Sequence, residues 1–182
     1  MVVVGSVRQG SNGSKVGQWV KEIVEADKRF NLDHVEVKDL NLPFYDDPNG
    51  GPTALFYMGK EYQNSTGRTW ADRVAKADAI IFITAEYNRS FPASLKNAID
   101  WVGPEWNGKI AGTISYGYSG QAGVRAFAAL LPVYQEVGLY AANHNVHIDG
   151  IFQAFDEHGH PNNEAHTQSL TGLLDEIANF KK

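Results

Sequence analysis

Residues 5–14, GSVRQGSNGS, combine the groups that proteins use to bind a phosphate. The glycines let backbone N–H groups approach a ligand closely, and Arg8 offers a guanidinium fork. Hydroxyl donors stand at Ser6, Ser11 and Ser14, and a helix predicted to begin here would add free N–H groups and the positive end of its dipole. Neither GxxxxGK(S/T) nor GxGxxG is present, so a monophosphate fits better than a triphosphate or a pyrophosphate. A Gly/Ser turn with a helix N-cap explains the same residues equally well.

A second polar segment, AEYNRSFP, occupies residues 85–92, directly after the most apolar run of the chain. In it, Glu86, Tyr87 and Asn88 stand where a planar ligand can meet backbone donors and an aromatic edge. The alternative is a plain polar turn, with Asn88 in a left-handed conformation and Pro92 at the start of the next helix.

The third segment, SYGYSGQAG at residues 115–123, contains three glycines that permit close approach of the backbone. Tyr116 and Tyr118 are placed to flank a ring. Because glycine-rich turns are also common without a ligand, this segment alone leaves both interpretations open.

The three segments follow strands in a chain that alternates apolar β-branched runs with stretches of helical period. The densest run, residues 79–84, does not alternate with polar residues and is therefore predicted to be a buried parallel strand. Repeated strand–helix units pair in parallel through right-handed crossovers, which predicts a three-layer α/β sandwich with a five-stranded parallel sheet of order 2-1-3-4-5. The predicted strands are residues 2–4, 31–37, 79–84, 110–115 and 140–147, and the predicted helices include residues 69–77, 92–102 and 122–137.

In such a sheet, ligands bind beyond the carboxyl ends of the strands, at the point where the strand order reverses. Strands one, three and four meet at that point, and each is followed by one of the three segments. This coincidence favours a bound mononucleotide over three unrelated turns.

Composition limits the classes of function. The 182 residues, 43% of them hydrophobic, are predicted to fold as one domain spanning residues 1–182. A formal net charge of -5, without a dense Lys/Arg run, argues against nucleic-acid binding. No apolar stretch approaches the roughly 20 residues of a membrane helix, so we expect a soluble, cytoplasmic protein. Because the chain has no cysteine, any redox chemistry must come from a bound cofactor.

Histidines near the C-terminus raise the alternative of a metal site. They lack HExxH or a comparable spacing, and the EHGHPNN stretch is typical of an exposed turn. We therefore predict no metal centre, and we interpret the four tryptophans as core or interface anchors. The residues concerned are His144, His147, His158, His160, His166, Trp19, Trp70, Trp101 and Trp106.

Five segments, in the order GSVRQGSNG, LPFYDDP, AEYNRSFPASLKNAIDW, EWNGK and SYGYSGQAG, strongly resemble the NADPH-dependent FMN reductase family of flavodoxin-like proteins. The similarity runs nearly from end to end. Its most specific part is residues 86–101, where EYN, SFP and LKNAIDW have the family's order and spacing. Two positions depart from the family: Ala85 stands where proline is usual, and Ser11 stands where close relatives often carry arginine.

The resemblance implies bound FMN, with NADPH or NADH as the reductant. Because the flavin itself accepts the hydride, no catalytic side chain is predicted. The implied FMN-binding residues are Ser6, Arg8, Ser11 and Gly13 at the phosphate, Glu86, Tyr87 and Asn88 along the flavin ring, and Gly117, Ser119 and Gly120 on the other side of the ring system. The candidate site also includes the loop neighbours Ala85, Ser115 and Tyr118.

The activity implied by the resemblance is reduction of a small acceptor, such as a quinone, an azo dye, a free flavin or an oxidised metal ion. One exposed face of the ring would serve both substrates in turn. A flavodoxin-type FMN electron carrier without nicotinamide turnover is the alternative, although such carriers resemble a different, threonine-rich phosphate loop and tend to be more acidic. A non-catalytic protein that has kept the fold and lost its flavin is a more distant possibility.

Aromatic residues in an irregular region predict self-association. Residues 42–67 show no clear helical or strand period, and aromatic side chains are enriched at interfaces. We expect a homodimer or homotetramer in which the neighbouring chain completes each site. Part of the predicted helix at residues 92–102 would form a second surface. The alternative is that these aromatics fold back on their own domain. The residues in question are Phe44, Tyr45, Phe56, Tyr57 and Tyr62, with Leu95, Ile99, Trp101 and Val102 on the second surface.

Overall fold

The computed structural model describes residues 1–48, 55, 57–118 and 120–181. In this part of the chain, strands alternate with helices as the hydrophobic pattern predicts. The strands are β1 Val2–Val4, β2 His34–Glu36, β3 Ala79–Ala85, β4 Ile110–Tyr116, β5 Tyr140–Ala141 and β6 Val146–Ile148. The helices are α1 Gly13–Ala26, α2 Ser65–Ala75, α3 Ala93–Asp100, α4 Val124–Glu136 and α5 Glu164–Asn179, with short 3₁₀ turns at Val37–Asp39 and Pro104–Trp106.

The sheet has the order β2-β1-β3-β4-β5, and every pairing in it is parallel. At its centre, Val3 of β1 lies opposite Val35 on one side and Phe82 on the other. This order confirms the predicted 2-1-3-4-5 sheet of a flavodoxin-like fold. The order reverses at β1 and β3, so the carboxyl ends of these strands border the crevice where such folds bind ligands.

Apolar side chains cover both faces of the sheet and make the three layers. Helices α1 and α5 pack on one face through residues such as Val20 and Leu173. Helices α2, α3 and α4 pack on the other through Trp70, Leu95 and Leu130. All four tryptophans are at most 2% exposed, which confirms that they are core residues.

The last strand departs from the prediction of one strand over residues 140–147. It is divided into β5 and β6, which both pair with β4. Between them, the Asn145 side chain accepts a 2.8 Å hydrogen bond from the Thr113 N–H group and replaces a backbone partner in the ladder. An amide side chain that takes over a ladder bond leaves no trace in a hydrophobic pattern.

Helix α2 begins four residues before its predicted start at residue 69. Asn64 caps it, because its side-chain oxygen accepts hydrogen bonds from the N–H groups of Thr66 and Gly67 at 2.9 and 3.0 Å. This N-cap lies before the first apolar residue of the helix, where the hydrophobic period gives no signal.

The expected second association surface is wrong. Leu95, Ile99, Trp101 and Val102 are fully buried within their own chain, packed under the segment that precedes α2. Tyr45 packs edge-on against Trp101 with ring centroids 4.8 Å apart.

The other predicted association aromatics divide into two groups. Tyr62 is partly buried, and its hydroxyl donates to Glu105 Oε2 at 2.6 Å. Phe44 and Tyr57 are 81% and 76% exposed. Phe56 lies outside the described residues.

Candidate functional site

The three polar segments lie side by side at the carboxyl edge of the sheet, as predicted. We call residues 5–12 the first loop, residues 86–92 the second loop and residues 117–123 the third loop. Backbone hydrogen bonds join their bases: the Gly5 N–H group donates to Ile83 O at 2.9 Å, and the Glu86 N–H group donates to Tyr116 O at 3.1 Å. Adjacent parallel strands therefore bring the three loops into one site.

Hydroxyl groups meet beneath the first loop. Ser6 Oγ lies 2.9 Å from the Tyr87 hydroxyl, and Ser11 Oγ lies 3.2 Å from the Tyr116 hydroxyl. The Gly13 N–H group, at the start of α1, donates to Ser11 Oγ at 3.0 Å. Because the first N–H groups of a helix have no acceptor within it, the same loop also receives the positive end of α1.

Arg8 lies on the exposed side of the first loop. Its guanidinium reaches back to the carbonyls of Gln9 and Gly10 at 3.3 and 3.5 Å, so it is held only by long contacts within the loop. The predicted contribution of Ser14 is wrong, because its hydroxyl donates to Glu36 Oε2 on β2 at 2.9 Å.

The sequence placed Tyr116 beside a ring bound at the third loop, but its side chain points under the first loop. It is the last residue of β4, and its buried ring reaches the start of α1. A Cβ atom at Gly13 would lie 2.8 Å from the Tyr116 hydroxyl, so this position needs glycine to make room for it. Burial raises the pKa of the Tyr116 phenol, which therefore keeps its proton at neutral pH.

The second loop forms a tight turn. The N–H groups of Tyr87 and Ser90 each donate to the other residue's carbonyl, at 2.7 and 3.0 Å, and the two residues between them have positive φ angles. This confirms the left-handed conformation of Asn88, at φ 49°, and adds Arg89 at φ 68°. Such a pair of angles defines a type I′ turn, which fixes the direction of the loop. Before it, Ala85 is the buried last residue of β3.

Glu86 is held by Arg125, a residue that the sequence analysis did not single out. Arg125 Nε donates to Glu86 Oε1 at 2.6 Å. The Glu86 side chain is only 9% exposed, and its Oε2 atom has no hydrogen-bond partner in the described part of the chain. The available signal was that Arg125 is the only charged residue in the first three turns of an otherwise apolar helix, since a buried carboxylate needs a cation.

The third loop is tied to β6. The Gly117 N–H group donates to Ile148 O, and the Ile151 N–H group donates to Gly117 O, both at 3.0 Å. Gly120 has a φ angle of 72°, and its N–H group donates to Asp149 Oδ1 at 2.8 Å. Ser119 lies outside the described residues.

Ser115 lies beneath this loop. It is fully buried, and its hydroxyl donates to Ala122 O at 2.7 Å. With its only proton engaged, Ser115 accepts from His147 Nδ1, also at 2.7 Å. Burial lowers the pKa of His147, which favours the neutral ring.

A cleft of about 170 Å³ separates the second and third loops. Its walls include the Glu86–Arg125 pair, Asn88, Gly117 and the exposed Tyr118. Pockets that enclose a ligand usually measure about 300–1,000 Å³, so this cleft is too small to enclose a whole ligand of that size.

The cavities outside this cleft include two larger ones. A groove of about 510 Å³, lined by Val7, Leu42 and Phe44 among others, lies on the other side of Tyr87. A cavity of about 720 Å³ borders the amino ends of the strands, where Asp33 pairs with Arg73. Ligands of parallel sheets bind at the opposite edge, so the three loops remain the candidate site.

The residues present fit a flavin mononucleotide. Hydroxyls, N–H groups and a guanidinium converge on the first loop, and the cleft between the second and third loops lies at the same edge of the sheet. In the described residues, no group of three or more His, Asp or Glu side chains is arranged to hold a metal ion. Nor does any helix of the described residues have the length and apolar character needed to cross a membrane.

Comparison with known proteins gives consistent similarities. A family model described as NADPH-dependent FMN reductase matches residues 1–153. An NAD(P)H-dependent FMN reductase of Saccharomyces cerevisiae is 35% identical over 124 residues, which cover 65% of this chain and 65% of that protein. A quinone reductase of Pseudomonas putida is 32% identical over 151 residues, covering 83% of this chain and 68% of the relative.

Among solved structures, the chain is similar to a flavoenzyme NAD(P)H:(acceptor) oxidoreductase from Paracoccus denitrificans. The TM-score is 0.77 at 27% identity, and the superposition covers 98% of this chain and 93% of that one. The chain thus spans less than two thirds of the yeast relative in sequence, but nearly all of the Paracoccus protein in fold.

Proposed function

Because the chain belongs to the NADPH-dependent FMN reductase family, we propose that it is an oxidoreductase that binds FMN at the three loops and transfers electrons from NAD(P)H to a small acceptor. One observation carries this proposal: a cluster of hydroxyl groups beneath the first loop and a cleft between the second and third loops lie at the same edge of the sheet. The names of the relatives favour a quinone or a free flavin as the acceptor. An azo dye or an oxidised metal ion remains among the acceptors to test.

The phosphate would bind the first loop. Ser6, Ser11 and the Gly13 N–H group form its inner part, and the exposed Arg8 has the freedom to turn from its long carbonyl contacts onto a dianion. Charge-assisted contacts of a guanidinium with phosphate are among the stronger hydrogen bonds in proteins.

The ring would occupy the cleft between the other two loops. The turn at Asn88 and the backbone of Gly117 and Gly120 form its edges, with Tyr118 beside it. The position of Ser119 next to the ring stays a prediction, because this residue lies outside the described ones. Ala85 and Ser115, both buried, are better placed to support these loops than to contact the flavin.

Bound FMN would supply the redox chemistry, since flavins accept a hydride from a reduced nicotinamide and pass electrons onward. The protein would hold the ring with one face open, and that face would have room for only one of the two substrates at a time. Both substrates must then use it in turn, which is a ping-pong mechanism. Fixed loop N–H groups near the ring would stabilise negative charge on it.

Self-association remains a proposal and now depends on one surface. Phe44 and Tyr57 are largely exposed, and Phe44 borders the apolar groove next to Tyr87. A second copy packed here would cover the groove and reach the edge of the site, as a homodimer or homotetramer. A cytoplasmic location likewise stays a prediction.

Steady-state oxidation of NADPH and NADH by the purified protein with a quinone acceptor tests the function. We expect turnover that disappears when the flavin is stripped and returns when FMN is added. A protein that binds FMN tightly but supports no nicotinamide oxidation would be an electron carrier instead. A protein that retains no flavin and gains no activity with FMN would contradict the proposal.

A further inference from the structure

We propose that the hydroxyls of Tyr87 and Tyr116 are phosphate donors, and that they make the site select FMN over flavins without a phosphate. This inference deepens the proposed function and rests on it. Family resemblance placed Tyr87 along the ring and gave Tyr116 no role. The contacts of both side chains point to the first loop instead.

The two phenols approach the loop from different strands. The Tyr87 hydroxyl comes from the second loop after β3 and lies 2.9 Å from Ser6 Oγ. The Tyr116 hydroxyl comes from the end of β4 and lies 3.2 Å from Ser11 Oγ. Both therefore stand next to the serines expected to bind the phosphate.

The hydroxyl groups of this cluster have more protons to donate than the hydrogen bonds between them can use. Both serine oxygens already accept from backbone N–H groups, Ser6 from Arg8 at 3.4 Å and Ser11 from Gly13 at 3.0 Å. The four hydroxyls form two pairs, Tyr87 with Ser6 and Tyr116 with Ser11, and each pair holds one hydrogen bond between its members but has two protons to donate. One proton of each pair must therefore go to an acceptor outside that pair.

An anion satisfies this excess of donors. The charged side chain of the first loop is Arg8, and its guanidinium adds further donors and no acceptor. A phosphate oxygen has several lone pairs and a negative charge, so it can accept from the tyrosines, the serines and Arg8 together. Because Tyr116 is buried, it is rigidly placed and stays protonated, and towards an anion it acts as a neutral donor.

Tyrosine-to-phenylalanine variants test the proposal with a matched control inside the same chain. Tyr134 is also a buried tyrosine, and its hydroxyl lies 2.9 Å from Thr113 Oγ1, away from the three loops. Tyr134→Phe therefore removes the same kind of hydrogen bond without touching the site. The dissociation constants of FMN and of riboflavin are measured on apoprotein by flavin fluorescence.

We expect Tyr116→Phe and Tyr87→Phe each to weaken FMN about tenfold while riboflavin changes less than about twofold, because one charge-assisted hydrogen bond is lost. Tyr134→Phe should leave the ratio of the two constants as in the unsubstituted protein. Inorganic phosphate should compete with FMN for the unsubstituted protein and compete less well in the two site variants. If Tyr116→Phe unfolds, the more exposed Tyr87→Phe carries the test.

A double variant separates direct donation from simple support of a serine. If Tyr87 only orients Ser6, adding Tyr87→Phe to Ser6→Ala has no further effect on FMN affinity, and the proposal is overturned. Equal losses for FMN and riboflavin would also overturn it. Flavin binding that is normal in both variants refutes this inference alone, whereas an unsubstituted protein that binds neither flavin refutes the proposed function as well.

Discussion

Removing Arg125 should show how strongly the candidate site depends on one buried ion pair. In Arg125→Met, the aliphatic part of the side chain remains, but the Glu86 carboxylate loses the cation at 2.6 Å. Its side chain is 9% exposed and one of its oxygens already lacks a partner in the described residues, so little water can replace the guanidinium. The Glu86 charge is then left without a cation and with little hydration.

The magnitude follows from the burial of the two partners. Leaving a fully buried charge unpaired costs about 3–5 kcal/mol. Arg125 is 35% exposed, which places the loss near the lower limit, at about 3 kcal/mol. For a chain of 182 residues this lowers the thermal midpoint by roughly 6–12 °C.

Urea and thermal unfolding of the apoprotein measure this loss directly. Lys21→Met is the control, because Lys21 pairs with Glu25 on the surface of α1, where breaking the pair should cost about 0.5 kcal/mol or less. Glu86→Gln added to Arg125→Met should recover most of the stability, since the amide carries no charge. A loss in Arg125→Met no larger than in the control, or no recovery in the double variant, would refute the reasoning.

Four other outcomes are expected. Gly13→Ala places a methyl group 2.8 Å from the Tyr116 hydroxyl and should lower the free energy of unfolding by about 1–3 kcal/mol. Adding Tyr116→Phe should restore part of this loss in a urea titration. No restoration would contradict the steric explanation. Replacing Arg8 or Ser6 should weaken FMN about tenfold to a hundredfold in equilibrium dialysis, and unchanged retention in both variants would reject the phosphate assignment. Burial alone would raise the pKa of Glu176, but hydrogen bonds from Asn143 and His144 outweigh it and lower the pKa to about 2. This folded-state value lies below the ordinary 4.5, so the resulting stability is complete above about pH 4.5 and is lost as the pH falls towards 2; Glu176→Gln should flatten that part of the pH–stability curve. Initial rates with a quinone should give parallel double-reciprocal lines, whereas intersecting lines would indicate a ternary complex.

The order of the sheet and the meeting of the three loops at one edge were predictable, because both depend on hydrophobic pattern and chain direction. Buried parallel strands are continuous apolar runs, and β3 is the clearest case. Three polar segments after adjacent strands must then meet at one edge. The left-handed Asn88 was likewise predictable, because asparagine tolerates that conformation.

Side-chain directions at the strand ends were not predictable. Strand β4 extends to Tyr116, one residue beyond its predicted end, and successive residues of a strand point to opposite faces. Ser115 therefore turns to His147, while Tyr116 turns to the first loop. Arg125 was missed for a related reason, since its partner Glu86 is 39 residues away in the chain and only the fold brings them together.

The division of the last strand into β5 and β6 separates the pairing of the sheet edge from the anchoring of the third loop. The exposed β5 closes the edge near the amino ends of the strands, whereas β6 and the turn after it anchor the third loop through Ile148 and Ile151. Between β5 and β6, the Asn145 side chain replaces the backbone as the hydrogen-bond partner of β4. Fraying of the edge at Tyr140 can therefore proceed by local opening without reaching the loop. Amide hydrogen exchange should accordingly be fast in β5 and slow in β6, although the two are a few residues apart on the same partner strand.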